Sequence, residues 1–302
     1  VKPMKAMKAL RELPLHLMLL PGALIVFVYC YVPMVGVTIA FQQFVPVKGL
    51  FGSEWIGLDN FRYVLNMPDI GRVVWNTLFI SVMKIVAGLT VPIAIAILLN
   101  EVRLQFFKKT FQTLVYLPHF LSWIIISGIL IDILSPSEGV VNRIVQALGG
   151  RSVFFLGDNG WFPFTLVASD VWKEFGFSTI VYLAAITGIN PSLYEAAVMD
   201  GAGRWKQMRH VTLPGMLPVI VLLATLSLGN VLNAGFEQVF NLYSPSVYES
   251  GDILDTLIYR IGILDAQFGV ATAIGLLKSF VSLILISLSY FLAYRLANYR
   301  IF

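Results

Sequence analysis

Seven charged side chains stand inside stretches that are otherwise almost wholly apolar: Lys84, Asp170, Lys173, Glu174, Glu237, Lys278 and, near one outer end, Asp132. A charge in such surroundings is costly and is kept where it meets a partner, water or a solute. Asp170 and Lys173 are three apart, with Glu174 beside them, so an ion pair along one helix is expected. Trp172 offers a face either to a sugar ring or to a neighbouring helix. Further on, Ser227, Asn230, Glu237 and Asn241 recur at helical spacing, flanked by Asn233 and Gln238. Such a face lines a path for a hydroxyl-rich solute or acts as hydrogen-bonding glue between helices, and the residues alone leave both open. No phosphate loop, no G-x-S-x-G elbow and no H-E-x-x-H are present, and the three histidines lack metal-ligand spacing. Neither ATP hydrolysis nor any recognisable catalytic set is expected on this chain, nor a bound cofactor or metal. Cys30 is a lone cysteine and reads as a small apolar residue.

The elements that must hold these groups follow from composition. Apolar residues make up 58% of the 302 and charged residues 13%, with a mean hydropathy of +0.80. A soluble domain carries about twice that share of charge. Six apolar runs, roughly 13–41, 74–99, 113–134, 161–186, 219–242 and 270–294, reach the ~20 residues needed to cross a bilayer as helix. None alternates as a membrane strand would. The expectation is an all-α membrane protein, a six-helix bundle forming one membrane domain over 1–302.

Lysine and arginine set its orientation. With six crossings both ends share a side with Lys2, Lys5, Lys8, Arg11, Arg103, Lys108, Lys109, Arg204, Lys206, Arg209, Arg295 and Arg300. That denser side is cytoplasmic by the positive-inside rule. The basic N-terminus precedes a run too long for a signal peptide, and reads as a cytoplasmic tail before the first span. Topology accounts for the pI of about 9.1 without any nucleic-acid partner. Counted from the outer ends, Lys84, Lys173 and Lys278 lie roughly 12–18 Å deep, where they form a positive zone unless Asp170, Glu174 and Glu237 neutralise them. In the first outer loop, "GLDNFRYVL" reads as a short helix N-capped by Asp59, with Phe61, Val64 and Leu65 on one face.

One polar insert interrupts the apolar pattern on the cytoplasmic side, a loop of about 187–217 that includes "EAAVMDGAGRWKQMRHVTLPGMLP". Ser192 and Glu195 fit a capping box, overlapping an Asn190–Pro191 start signal. Gly201 and Gly203 permit a bend, and Pro214 and Pro218 end a second short helix and launch the next span. A helix–bend–helix of this kind stands out as a docking joint or lies on lipid headgroups.

The spacing E-A-A-x3-G-x9-[IV]-x-L-P, here Glu195, Ala196, Ala197, Gly201, Val211, Leu213 and Pro214, resembles the signature loop of permease subunits of binding-protein-dependent ABC importers. "GLDNF", "WNTLFISV", "YLPHFLSW", "GFEQVFNLY" and "GDILDTLIYRIG" are similar to the oligosaccharide and polysaccharide branch, near lipoprotein-associated sugar permeases and alginate-importer permeases. The resemblance implies ATPase-coupling residues at Glu195, Ala196, Ala197, Asp200 and Gly201. From the residues themselves, a substrate pathway on this chain would draw on Asn230, Asn233, Glu237, Gln238, Asn241, Trp172, Lys84, Lys173 and Lys278. The resemblance also implies a bacterial inner-membrane location, a second permease, identical or different, two ATPase subunits carrying ATP and Mg, and an extracytoplasmic sugar-binding protein. The rival reading is an ion-coupled secondary transporter in which Glu237, Asp170 and the buried lysines relay protons.

Overall fold

The computed structural model describes residues 2–102 and 104–297; Arg103 and Arg300, used above for orientation, lie outside the described residues. The described chain is helical apart from one antiparallel pair of two-residue strands. It divides into two compact units, 1–66 with 261–276, and 67–260 with 277–302.

In the first unit, α1 (Lys2–Val26) runs through a π-helical turn (Phe27–Tyr31) into a 3-10 stretch (Val32–Phe41). The apolar part, Pro14–Phe41, is almost entirely uncovered. Strands β1 (Gln42–Gln43) and β2 (Glu54–Trp55) pair Gln42 with Trp55 and Gln43 with Glu54. Helix α2 (Asp59–Leu65) follows. Asn60 ties it down, its Nδ2 donating to Ala40 O at 2.9 Å and Gln42 O at 3.0 Å. Phe41 stacks on Trp55 and meets Phe61, while Val64 is buried. The helix forms as expected, but Leu58, not Asp59, occupies the cap position, and Leu65 is exposed. Asp59 instead sits in the first turn and pairs with Arg62.

The second unit holds α3 (Ile70–Glu101), α4 (Gln105–Tyr116), α5 (Trp123–Leu134), α6 (Val140–Ala147), α7 (Phe162–Thr187), α8 (Pro191–Met199), α9 (Arg204–Leu228), α10 (Phe236–Leu242) and α11 (Leu254–Tyr259). Helix α12 (Phe268–Ala297) gives its first turns to the first unit and the rest to the second. Helices α3 and α7 form the central pair. Ile80, Phe162, Leu166, Ala234, Val239, Leu242, Val247 and Ile253 build one core, and Ala96, Tyr182, Ile186 and Met216 a second. Gly176 of α7 lies so close to α4 that a Cβ there would come within 2.0 Å of Val115 O.

Among the described residues, four helices are long and apolar enough to cross a membrane, Pro14–Phe41, Ile70–Glu101, Arg204–Leu228 and Phe268–Phe291. Two of the six apolar runs are broken. The third bends by 106° between Gln105–Phe120 and Trp123–Leu134, and counts as a fifth span if the pair is one crossing. The cause is a 3-10 turn holding Pro118, followed by Ser122, whose Oγ accepts from Ile125 N–H and starts a new helix. The fifth run stops at Leu228 and resumes at Phe236. Helix α7 has the length of a span but carries Asp170, Lys173 and Glu174 in its middle.

The stretch after α10 is no surface loop. Asn76 of α3 donates to Glu249 O and Asp252 O, and Thr77 Oγ1 accepts from Leu254 N–H at 2.9 Å. These bonds draw α11 inward, so that Leu254, Thr256 and Leu257 are buried.

Candidate functional site

Helix α8 carries the signature residues. Asn190 caps it, Oδ1 accepting from Ser192 N–H at 3.0 Å, with Pro191 in the first turn. Glu195 therefore lies beyond the position a capping box needs, and the Ser192–Glu195 box does not form. Its other end is a Schellman motif: Gly201 N–H donates to Val198 O at 3.0 Å and Ala202 N–H to Ala197 O at 2.8 Å. The motif requires a left-handed residue, and Gly201 supplies it with φ +72°. Gly203, at φ −67°, is an ordinary residue before α9 and is not needed for the bend.

Two contacts fix α8 and the turn to the rest of the unit. Tyr194 OH and Thr212 Oγ1 are 2.9 Å apart, and Arg204 reaches Glu101 of α3 at 2.5 Å. Glu195, Ala196 and Asp200 are exposed, Ala197 half-buried, and Leu193, Val198, Met199 and Trp205 leave apolar surface open around them. Pro214 and Pro218 do not end a helix. The chain runs from Arg204 to Leu228, absorbing the missing donors through a π-helical turn at Met208–Thr212.

Two of the three lysine pairs run between helices, and the third lies along one. Lys84 of α3 pairs with Asp170 of α7, Nζ to Oδ1 3.2 Å. It also donates to Ala234 O at 2.7 Å and to Gln238 Oε1. Gln238 is fully buried, and its Nε2 donates to Leu166 O and Ser169 Oγ, both at 2.7 Å. The expected Asp170–Lys173 pair is absent because Lys173 points elsewhere, to Glu174 Oε1 at 3.0 Å and His119 O at 2.9 Å. Lys278 pairs with Asp255 of α11 at 2.5 Å. Lys84, Lys173 and Lys278 thus each have a carboxylate, and among the described residues they form no uncompensated positive zone. Asp255, not Glu237, is the third neutralising group; its place on a sequence read as loop hid it.

The single helical face through Ser227, Asn230, Glu237 and Asn241 does not form, because the segment 229–235 is not helical. Gly229 and Gly235 bracket it, Gly235 at φ +90°, and Asn233 Oδ1 accepts from Gly235 N–H at 3.4 Å. Short polar side chains that bond their own backbone compete with helix. The break has a consequence. Ser227, Asn230 and Asn233 come together with Ser81, Lys84 and Asp170 around a partly open cavity of about 350 Å³. Ser81, which sequence reasoning missed, is buried there with an Oγ that has no hydrogen-bond partner. Glu237 and Asn241 lie on α10, Glu237 exposed and Asn241 half-buried, the Asn241 amide donating to Glu237 O. Trp172 lines a separate apolar cavity of about 330 Å³ with Leu130, Phe155, Trp161 and Phe164.

The sequence and fold have counterparts among known proteins. A family model described as binding-protein-dependent transport system inner membrane component matches residues 88–300. The chain is 43% identical over 282 residues to the polygalacturonan/rhamnogalacturonan transport system permease protein YteP of Bacillus subtilis (strain 168), covering 93% of this chain and 88% of the relative. It is 40% identical to Protein LplB of the same organism, covering 91% and 87%. Among solved structures it resembles a chain of a bacterial ABC transporter involved in the import of the acidic polysaccharide alginate, with a TM-score of 0.90 and 38% identity over 97% of this chain and 99% of that one. A second structure, the alginate transporter in complex with an alginate pentasaccharide-bound periplasmic protein, matches with a TM-score of 0.88. With a helical fold that holds several apolar spans and a family model matching more than half of its residues, the chain belongs to the family of binding-protein-dependent transport system inner membrane components.

Proposed function

We propose that this chain is the membrane-spanning subunit of an ATP-driven importer that passes an acidic oligo- or polysaccharide delivered by an extracytoplasmic binding protein. The observation that carries the coupling part is α8. A helix stopped at both ends, braced by Tyr194–Thr212 and Arg204–Glu101, presents Glu195, Ala196, Asp200 and apolar neighbours that nothing in the described chain covers. In this reading they seat in a cleft of a separate ATPase subunit, one of two, which holds the ATP and Mg. A second permease, identical or different, completes the path. The chain crosses the bacterial inner membrane six times as one domain, α7 and the bent α4–α5 pair included, with both termini cytoplasmic. On this chain the path runs past the cavity of Ser81, Asp170, Asn230 and Asn233 and along Glu237 and Asn241. Acidity of the substrate is supported by the likeness to the alginate and polygalacturonan systems. It is not supported by the lysines, whose charges are matched.

The test is purification of the chain from its native membrane, followed by uptake in vesicles. An ATPase and a second permease should co-purify, and uptake should depend on ATP and survive a protonophore. A chain that purifies alone and loses uptake with the proton gradient is a secondary transporter.

A further inference from the structure

Beyond the break at 229–235, aromatic rings follow one another without a gap. Phe236 stacks on Phe240 at 5.2 Å, and Tyr259 meets both, at 5.7 and 4.8 Å. Phe240 then meets Tyr243 at 6.3 Å, and Tyr243 meets Tyr248 at 5.1 Å. The guanidinium of Arg260 closes the row, 4.8 Å over the Tyr248 ring. Helix α11, drawn inward by Asn76 and Thr77, is what brings Tyr259 and Arg260 to α10. None of the six is fully buried, and Phe240 is 38% exposed. Asp252 grips Arg260 with two hydrogen bonds, at 3.2 and 2.5 Å, so its charge is cancelled and its plane fixed.

The polar groups along the row say what faces it. Glu237, next to Phe236, is exposed, and its carboxylate meets no partner among the described residues. Lipid tails would make that carboxylate expensive, and the centre of a subunit interface is depleted of such charges. Burial, and the Tyr248 hydroxyl beside it, push the Tyr243 phenol up to about 12, so it keeps its proton. Partly exposed rings bordered by phenol hydroxyls, an amide and a carboxylate suit a pyranose. Its C–H face is weakly positive and meets the negative face of an aromatic ring, while its rim hydroxyls need donors and acceptors.

We propose that Phe236, Phe240, Tyr243, Tyr248, Tyr259 and Arg260 form a stacking track on which successive sugar units of a saccharide chain rest as it passes this subunit. The inference rests on the saccharide-importer reading. Because every unit presents a ring face, the track favours chain length over the identity of ring substituents. Arg260 contributes a flat surface rather than a free charge, since Asp252 holds it.

The test uses the complete transporter in proteoliposomes, with a galacturonate disaccharide and a longer galacturonate oligomer as probes. Phe240→Leu and Tyr259→Leu keep apolar bulk and remove the ring face. Each should slow uptake of the longer oligomer by about two- to tenfold, change the disaccharide less, and leave ATPase stimulation by the loaded binding protein intact. The ring-retaining Phe240→Tyr and Tyr259→Phe should behave as wild type. Leucine variants that move both lengths normally, ring-retaining variants as impaired as the leucine ones, or loss of the second permease from the leucine complexes would each overturn the track. Absence of oligomer uptake by the wild-type complex would overturn the saccharide reading itself.

Discussion

Lys84 and Asp170 face one another across the central helix pair, Nζ 3.2 Å from Oδ1, and the lysine's other donors hold Ala234 O and the Gln238 amide. One ammonium therefore joins α3, α7 and the broken segment between α9 and α10. Lys84→Met leaves Asp170, Ala234 O and Gln238 Oε1 short of a donor. It should destabilise the protein by about 2–4 kcal/mol, the lower part of the range for breaking buried pairs because Asp170 keeps 27% side-chain exposure. Thermal unfolding in detergent measures it, and the Lys84→Met/Asp170→Leu double variant should lose less than the sum of the singles. Additive losses would mean the pair carries no coupling.

Gly201 is constrained by its backbone alone, since a Cβ there would touch nothing within 4 Å. Left-handed geometry costs an ordinary residue about 1–2 kcal/mol, and asparagine less. ATP-dependent uptake should fall in the order glycine, asparagine, alanine, valine, with the valine variant inserted and paired but inactive. Gly203→Ala should be silent, because φ −67° suits any residue. Equal activity of Gly201→Val and wild type would remove the turn from the coupling path.

Tyr194→Phe deletes the hydroxyl that braces α8 against Thr212. The direct cost is about 1 kcal/mol, and the visible effect should be weaker ATPase stimulation by the binding protein at unchanged basal turnover. Arg204→Ala, removing an exposed pair with Glu101, should stay within about 0.5 kcal/mol of wild type. A larger loss from Arg204→Ala than from Tyr194→Phe would reverse this assignment of which contact matters.

Accessibility separates the path residues from their neighbours. In a Cys30→Ala background, cysteines at Asn230, Asn233 and Glu237 should react with a water-soluble thiol reagent, and substrate should alter the rate. A cysteine at Gln238, fully buried in the Lys84 network, should stay inert. Labelling at Gln238 with silence at Asn230 and Asn233 would place the cavity on the wrong side of the chain.

Much of this was written in the amino-acid order, and the losses have physical causes. Four apolar runs announced their helices because length and hydropathy decide that question. The helix from Pro191 and the bend at Gly201 were readable from Asn190–Pro191 and Gly201, whose chemistries act on their own backbone. Hydropathy does not register where a helix stops, so the breaks after Phe120 and Leu228 went unseen. Periodicity extended through the second break then mixed faces, placing the buried Gln238 and the exposed Glu237 beside each other on one supposed surface. Ion pairs between helices, Lys84–Asp170 and Lys278–Asp255, depend on packing that no local spacing encodes. The aromatic row was hidden for the same reason, because α11 reads as loop until Asn76 and Thr77 claim its backbone.

Gly176 and Val115 touch with no room for a methyl group. Backbones this close at one point leave α4 and α7 little room to slide past one another there. Helix α8 joins the end of α7 after only a short connection, from Thr187 to Pro191. If α8 seats on an ATPase as proposed, a displacement there meets α7 after only that short connection, and the non-helical stretch 229–235 is where this unit has room to yield.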